Sequence, residues 1–301
     1  MIVRPKKDLI EVFGYAPDDL SPQCRSLWRL SACPFIHKQC TKANHDGSVI
    51  YGTCSVTSAF GHCVICPNRL YEQDYAVLRA IGKEVFDSSL DFYMYEQFIP
   101  LRENMKSCIV ALGQNSGREV KIGTNLSMDW VLAKIKNGQL IEYVGVEVQS
   151  IDITGNYRDA WHSYKNLTEQ TQLIPSSGHG MNWANVHKRL IPQIIRKGLI
   201  YSRSDLVKSG LYFVVPDIVY RKFEGIIGGD IPLLTTGGKD VLTIHTYELS
   251  PTVKHGEQRS LILKRNIRFS LEEFSQRFIS GPNLPSGFQL DAAVKRVLGV
   301  S

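Results

Sequence analysis

At 301 residues, with 43% apolar and 21% charged side chains, the chain has the composition of a globular protein with a substantial core, which excludes the disordered and fibrous classes. Thirty-five Lys and Arg against 29 Asp and Glu leave a net charge of +6, compatible with a nucleic-acid partner but spread along the chain without a long basic run. The first residues, Met1-Ile2-Val3-Arg4-Pro5-Lys6-Lys7-Asp8, lack the apolar core of a signal peptide, and no uncharged run is long enough to span a bilayer. The expectation is a soluble, cytoplasmic protein with no membrane contact.

Six of seven cysteines, Cys24, Cys33, Cys40, Cys54, Cys63 and Cys66, precede residue 70; only Cys108 lies later. In a reducing compartment such clustering points to metal rather than disulfides. From Cys33 the spacing is C-x6-C-x13-C-x11-C, and four thiolates close a tetrahedral site for zinc or a single iron. Proline after Cys33 and Cys66, and the Gly52 turn before Cys54, suit backbone amides aimed at sulfur. Cys63 competes, since Cys63 and Cys66 form C-x2-C, so Cys40, Cys54, Cys63 and Cys66 are the alternative set, with His37, His45 or His62 outside it. Cys24 follows Ser21-Pro22 at a capped helix start and reads as a packing residue.

Residues Tyr71 to Val85 carry Tyr75, Leu78 and Ile81 at helical spacing, and the helix is expected to resume from Ser89 to Phe98. Ser107 to Leu112 and Glu119 to Ile122 read as strands leading to a central hairpin. There, Asp129-Trp130-Val131-Leu132-Ala133-Lys134-Ile135 and Gln139 to Gln149 flank Asn137-Gly138, whose residues tolerate the positive φ of a tight turn. Register decides whether Asp129 and Glu147 meet. A two-residue loop predicts Asp129 across from Val146 and the acids on opposite faces. A three-residue loop, Lys136-Asn137-Gly138, predicts Asp129 across from Gly145, with Glu147 a diagonal neighbour and Gln149 on the same face. The odd loop is the expectation. Glu147 lies inside the apolar run Val144 to Val148, where an unpaired carboxylate is costly, and two converging carboxylates suit a hard cation such as Mg²⁺.

Beyond Gln149 the chain makes a polar turn through Arg158, then a flexible polar loop from Ser176 to Trp183. An amphipathic helix follows from Asn185 to Lys197, interrupted by Pro192. Leu211 to Val215, Val241 to Tyr247 and Ser260 to Ile267 read as strands, and Ser270-Leu271-Glu272-Glu273 as a capping box opening a helix through Phe278. Pro216-Asp217 is a rival for the acid at Asp129, but the match downstream of it, Glu248-Leu249-Ser250, has no Lys or Gln in third place and no apolar run around it.

Trp28-Arg29-Leu30, Ala32-Cys33-Pro34-Phe35, Tyr51-Gly52-Thr53-Cys54-Ser55-Val56 and Cys66-Pro67-Asn68-Arg69-Leu70 together resemble the N-terminal segment of the NotI family of type II restriction endonucleases, in a compact member. The resemblance implies an α/β fold, a PD-(D/E)xK nuclease core with a mixed β-sheet flanked by helices, preceded by a small four-cysteine metal-binding region, divided at 1–70 and 71–301. It implies Cys33, Cys40, Cys54 and Cys66 as ligands of one structural iron, with zinc as the alternative. It also places Asp129, Glu147 and Gln149 on a variant catalytic motif ending in Glu-x-Gln, with Asp129 and Glu147 as Mg²⁺ ligands. The sequence leaves open whether a helix acid, Glu84, Asp87 or Glu96, completes the site, and whether a second metal or Arg158 supplies the charge absent from Gln149. The implied activity is Mg²⁺-dependent cleavage of double-stranded DNA at a GC-rich palindrome containing CGGCCG, by a bacterial homodimer that shares its target with a cognate DNA methyltransferase. Arg158, Asn182, Asn185, Lys188, Arg189 and Arg203 lie near polar loops and are candidate DNA contacts. The competing readings are a metal-stabilised DNA-binding protein without cleavage and a structure-specific repair or junction nuclease.

Overall fold

A computed structural model describes residues 4–122, 126–168, 173–282 and 284–299 of the chain. Strand β1 (Leu9–Val12) pairs antiparallel with β2 (Thr53–Ser58), which pairs with β3 (Gly61–Val64). Between β1 and β2, α1 (Pro22–Leu30) starts as its sequence dictates: Ser21 Oγ accepts from the Cys24 amide and proline stands at the first position. A short ribbon, Ala32–Cys33 with Lys38–Gln39, follows α1.

Helix α2 (Glu72–Val85) carries left-handed Gln73, Asp74 and Tyr75 in its first turn and buries Val77, Leu78 and Ile81. The expected continuation of helix from Ser89 is not what forms. The chain makes β4 (Phe92–Met94) and only one helical turn, Tyr95–Phe98, because Phe92 and Met94 alternate onto a sheet edge beside Ile109 and Ala111. Then come β5 (Ser107–Gly113), β6 (Trp130–Lys136), β7 (Gln139–Val148), α3 (Arg158–Lys165), α4 (Ile191–Tyr201), β8 (Leu211–Pro216), α5 (Asp217–Ile227), β9 (Val241–Leu249), β10 (Leu261–Ser270), α6 (Leu271–Ser280) and α7 (Gly287–Leu298). The strand expected at Glu119 pairs as Val120–Ile122 with Leu126–Met128 in a ribbon of its own.

One seven-stranded mixed sheet, ordered β10-β9-β8-β7-β6-β5-β4, organises the molecule. Pairs β7/β8, β8/β9 and β4/β5 are parallel and the others antiparallel. Alternation along the strands sends Val146, Tyr212 and His245 to the face covered by α2, and Gly145, Glu147 and Phe213 to the face covered by α4 and α5. This is a three-layer α/β arrangement in which the two central parallel pairs are buried on both sides.

The N-terminal segment is tied into this body by a buried charge. Arg69, with no exposed surface, pairs with Glu11 at 3.1 Å and Glu72 at 2.7 Å, donates to the Arg259 carbonyl and stacks over Phe35. A guanidinium is tolerated there because its donors are met, so its loss would leave Glu11 buried and unpaired. Hydrophobic packing is continuous from Leu9 to Phe274, across the expected boundary at residue 70. Among the described residues no helix is long and apolar enough to cross a membrane.

Candidate active site on the hairpin

The hairpin forms, but not by the expected loop. Lys136 pairs with Gln139, leaving a two-residue turn in which Asn137 (φ 50°) and Gly138 (φ 76°) are both left-handed. Such turns match the right-handed twist of the flanking strands, which favours them over a three-residue loop. The register then slips by one residue at a bulge between Lys134 and Ile135, beyond which Lys134 faces Glu142 and Trp130 faces Val146. The bulge does what an odd loop was expected to do. Extended one step beyond the Trp130–Val146 pair, this register sets Asp129 opposite Glu147, directly rather than diagonally, and the Asp129 amide reaches the Glu147 carboxylate.

Their contacts define a compact cluster. The Asp129 amide donates to Glu147 Oε1 (3.3 Å), the Val148 amide to Asp129 Oδ2 (3.1 Å), and the Gln149 side-chain amide to the same Oδ2 (3.1 Å). Asp129 and Gln149 are half-buried, whereas Glu147 is only 2% exposed. Burial first, then the Asp129 charge, pushes the Glu147 carboxyl up to about 8, against the pull of Lys197. Behind the cluster, Trp130 Nε1 donates to the Tyr71 hydroxyl (2.9 Å), and Tyr71, Tyr75 and Trp130 pack edge to face. Tyr71 ends the turn that starts at Cys66, so the cysteine segment braces the strand that carries Asp129.

The sequence reading missed Lys197. It projects from α4, is 8% exposed, and its Nζ is ion-paired with Glu147 Oε2. Pro192 does not interrupt this helix; it occupies its first turn, after a π-helical turn over Val186–Leu190. Helix α4 lies along β7, and its rows keep step with the strand. Tyr201 closes on Gly145 and Lys197 on Glu147, while Gln193 lines the same cleft as Gln149.

That cleft, of about 190 Å³, is lined by Lys42, Gln149, Asp152, Asn185, Arg189 and Gln193, together with apolar residues of the cysteine segment and of the π-helical turn before α4. It brings two of the candidate DNA contacts, Asn185 and Arg189, next to Gln149. Asn185 is held by Asp152 at 2.9 Å, and Asn182 donates its amide to the Asp152 carbonyl. Lys188 is exposed on the π-helical turn, and Arg158 and Arg203 are exposed at the start of α3 and beyond the end of α4, outside the cleft lining. The loop from Ser176 is anchored at His179, 1% exposed, whose ring bonds Ser177 Oγ and the Thr57 carbonyl, in place of the expected flexible loop.

The other acids lie elsewhere. Glu84 is on the α2 face of the sheet, bonded to Tyr212 and Arg268, so it does not join Glu147. Asp87 accepts from Ser89 in an exposed turn, and Glu96 lies against Gly117. Asp217 opens α5, where Thr246, Arg221 and Arg265 surround its carboxylate.

In the cysteine segment, Cys33, Cys40, Cys54 and Cys66 are buried; burial raises the pKa of all four, and nearby Cys33 or Cys66 adds to the rise at Cys40, Cys54 and Cys66. Amides of Phe35 and Ile36 point at Cys33 and those of Asn68 and Arg69 at Cys66, as expected for the two thiols followed by proline; the Lys42 amide points at Cys40, whereas the Gly52 turn offers Cys54 a carbonyl that accepts from the thiol rather than an amide. Cys63 lies apart in β3, its thiol pushed up to about 12 by burial alone. Among the described residues, no group of three or more His, Cys, Asp or Glu is close enough together to hold a metal ion.

The comparison with known families supplies the class. The family model for the restriction endonuclease NotI matches residues 19–209, more than half of the chain, including all four of these cysteines, the hairpin and α4. The protein is therefore a site-specific deoxyribonuclease. It belongs to the NotI restriction endonuclease family, whose members are type II enzymes that cleave DNA. Among curated proteins, none matches the chain.

Proposed function

We propose that this chain is a Mg²⁺-dependent type II restriction endonuclease that cuts both strands of a GC-rich palindrome containing CGGCCG, an EagI-like specificity, and acts as a homodimer whose twofold axis mirrors that of its site. The observation that carries the reading is the meeting of Asp129, Glu147 and Gln149 at the mouth of the β6/β7 hairpin, with one carboxylate almost fully buried. Two adjacent acids in that position repel each other, and Lys197 offsets only part of the cost. The donor set fits a hard divalent cation, which needs only one or two carboxylates beside water and substrate phosphate oxygens. Asp129 and Glu147 would hold it. Bound there, such an ion lowers the pKa of water and stabilises charge on phosphate.

The chain's own groups do the rest. Gln149 steadies Asp129 through its amide, and the Val148 amide fixes the same oxygen, so one Asp129 oxygen is oriented before substrate arrives. Asn185 and Arg189 line the adjoining cleft, where an Arg can reach a phosphate or the O6 and N7 of guanine. In this reading the assembly is a PD-(D/E)xK core with Gln in the third motif position.

Cys33, Cys40, Cys54 and Cys66 form the structural site in this reading, for iron or zinc; soft thiolate donors suit either. The amides aimed at Cys33, Cys40 and Cys66, and the electrostatic influence of Cys33 and Cys66 on Cys40 and Cys54, favour this set over one containing Cys63. The test of the catalytic assignment is Glu147→Ala, assayed on plasmid DNA with Mg²⁺ and for binding by gel shift with Ca²⁺. Binding should persist and cleavage fall by at least about 10³-fold. Cleavage at the wild-type rate would remove Glu147 from the site.

A further inference from the structure

We propose that Lys197, delivered by helix α4 rather than by the catalytic strand, is the positively charged group that contacts the scissile phosphate. The inference rests on the active-site reading above and deepens it.

Three observations converge. First, Gln149 occupies the strand position next but one to Glu147, and its Nε2 is turned onto Asp129 Oδ2. An amide carries no charge, and this one spends a donor on orienting a carboxylate. The phosphate, which gathers negative charge as hydrolysis proceeds, needs a cation from elsewhere.

Second, Lys197 is already at the reacting end of the hairpin. Its Nζ is paired with Glu147, and its stem is buried among the residues that pack α4 on β7. Four residues of helix advance about 6 Å and two residues of strand about 6.6 Å. The row Gln193, Lys197, Tyr201 therefore stays aligned with Gln149, Glu147, Gly145, and Lys197 is held opposite the catalytic acid by the whole interface. An ammonium has three donors, and the bond to Glu147 uses one.

Third, a merely structural ion pair is a poor explanation. A buried Lys–Glu pair costs about as much in desolvation as it returns, and two apolar side chains would pack there as well. The other cations near the mouth are placed differently. Lys42 lines the cleft but gives its Nζ to the Ile65 carbonyl, and Arg189 is exposed two turns before Lys197. In the proposed role no bond to Lys197 forms or breaks. Water attacks phosphorus and releases a proton to solvent, the bond to the leaving sugar oxygen breaks and that oxygen takes a proton from solvent, and Nζ donates a hydrogen bond to a non-bridging oxygen throughout.

The experiment compares Lys197→Met, the relocated-charge variant Lys197→Met/Gln149→Lys, and Glu147→Ala. Each is measured for single-turnover cleavage of a plasmid that the wild type cuts, for Ca²⁺-supported binding of a duplex carrying the cut site, and for thermal unfolding. Lys197→Met should lose about 10³-fold in cleavage with binding held within roughly fivefold. The double variant should regain at least about tenfold, since a lysine from the strand can reach the same phosphate; a packing role for Lys197 predicts no such recovery. Where Lys197→Met fails to fold, Lys197→Gln, neutral but with a donor left for Glu147, takes its place alone and in the double variant, under the same criteria. The assignment is overturned if Lys197→Met cleaves within about threefold of wild type, or if the double variant folds and binds but regains nothing. Retained cleavage in Glu147→Ala marks instead the failure of the underlying site reading, so the two failures are told apart.

Discussion

Gly145 is the place where the packing of α4 on the hairpin can be tested with one methyl group. A Cβ on Gly145 would lie 2.1 Å from Tyr201 Cζ and 2.4 Å from its Cε2 and hydroxyl oxygen. Carbon atoms do not approach within about 3 Å, so the ring, and with it the last turns of α4, must retreat by roughly 1 Å. Tyr201 has little room to turn aside: it is 3% exposed and packs against Tyr143 with ring centroids 6.0 Å apart. Overpacking of this kind costs about 1–3 kcal/mol, and for a chain of this size each kcal/mol lowers Tm by roughly 2–4 °C. The effect on turnover should be larger than the effect on stability. Lys197 precedes Tyr201 by one turn on the same face, and a misplacement of about 1 Å at a reacting group costs on the order of 10²-fold. Gly145→Ala is therefore expected to cleave about 10²-fold more slowly in single turnover, to bind duplex normally in Ca²⁺, and to melt several degrees lower. Tyr201→Leu in the same chain should restore at least about tenfold, judged against Tyr201→Leu alone in a double-mutant cycle. Wild-type cleavage by a destabilised Gly145→Ala protein would show that the position of α4 does not align the site, and an unchanged Tm would show that the close approach itself is wrong.

Two further outcomes follow from the charges and thiols. Metal analysis of protein purified without chelators should find one equivalent of iron or zinc in wild type and in Cys63→Ala but none in Cys54→Ser; retention of metal by Cys54→Ser would remove that residue from the ligand set. On the opposite face of the sheet, the Glu84 carboxyl is held down to about 2, chiefly by His245 at 3.3 Å and then by Tyr212 and Arg268. Its folded pKa lies below its unfolded value near 4.5, so its contribution is complete above that value and disappears as pH falls toward 2. Solvent screening at this partly exposed group holds that contribution to about 1–2 kcal/mol. Glu84→Gln should lower Tm at pH 7 and flatten the fall of Tm between pH 5 and 2; parallel curves for the two proteins would refute the coupling.

How much of the molecule is legible in its sequence depends on how local the determining interactions are. Apolar runs such as Leu211 to Val215, buried on both faces, and the capped helix at Ser270 are placed by pattern alone, because burial and capping act over a few residues. The stretch from Ser89 to Phe98 reads wrongly as helix because its aromatic residues serve either period; the free sheet edge beside β5 decides between them. The hairpin shows a subtler case. Its turn residues are read correctly, yet the face on which Asp129 falls depends on a bulge a few residues away from the turn, which no dipeptide announces. That the acids meet follows from two departures that compensate: a loop one residue shorter than expected and a register slip of one.

Lys197 is harder to see because it comes from fifty residues beyond Glu147 and looks, taken singly, like one more cation on a polar helix face. The clue is nevertheless periodic. Ile191, Ile194, Gly198 and Tyr201 mark the buried stripe of α4, and position 197 falls inside that stripe, where a lysine is expensive unless an anion meets it. Arg196 and Leu199, by contrast, are exposed on the other side of the same helix. A charged residue in a buried stripe and a carboxylate in a buried strand each pose the same energetic problem, and each solves it for the other. A neutral Gln149 sharpens the point, since a strand that carries an acid with no cation of its own needs one from a neighbouring element. Periodicity alone marks Glu147 and Lys197 as charges set among apolar neighbours, and the cost of leaving either one unpaired is what joins them.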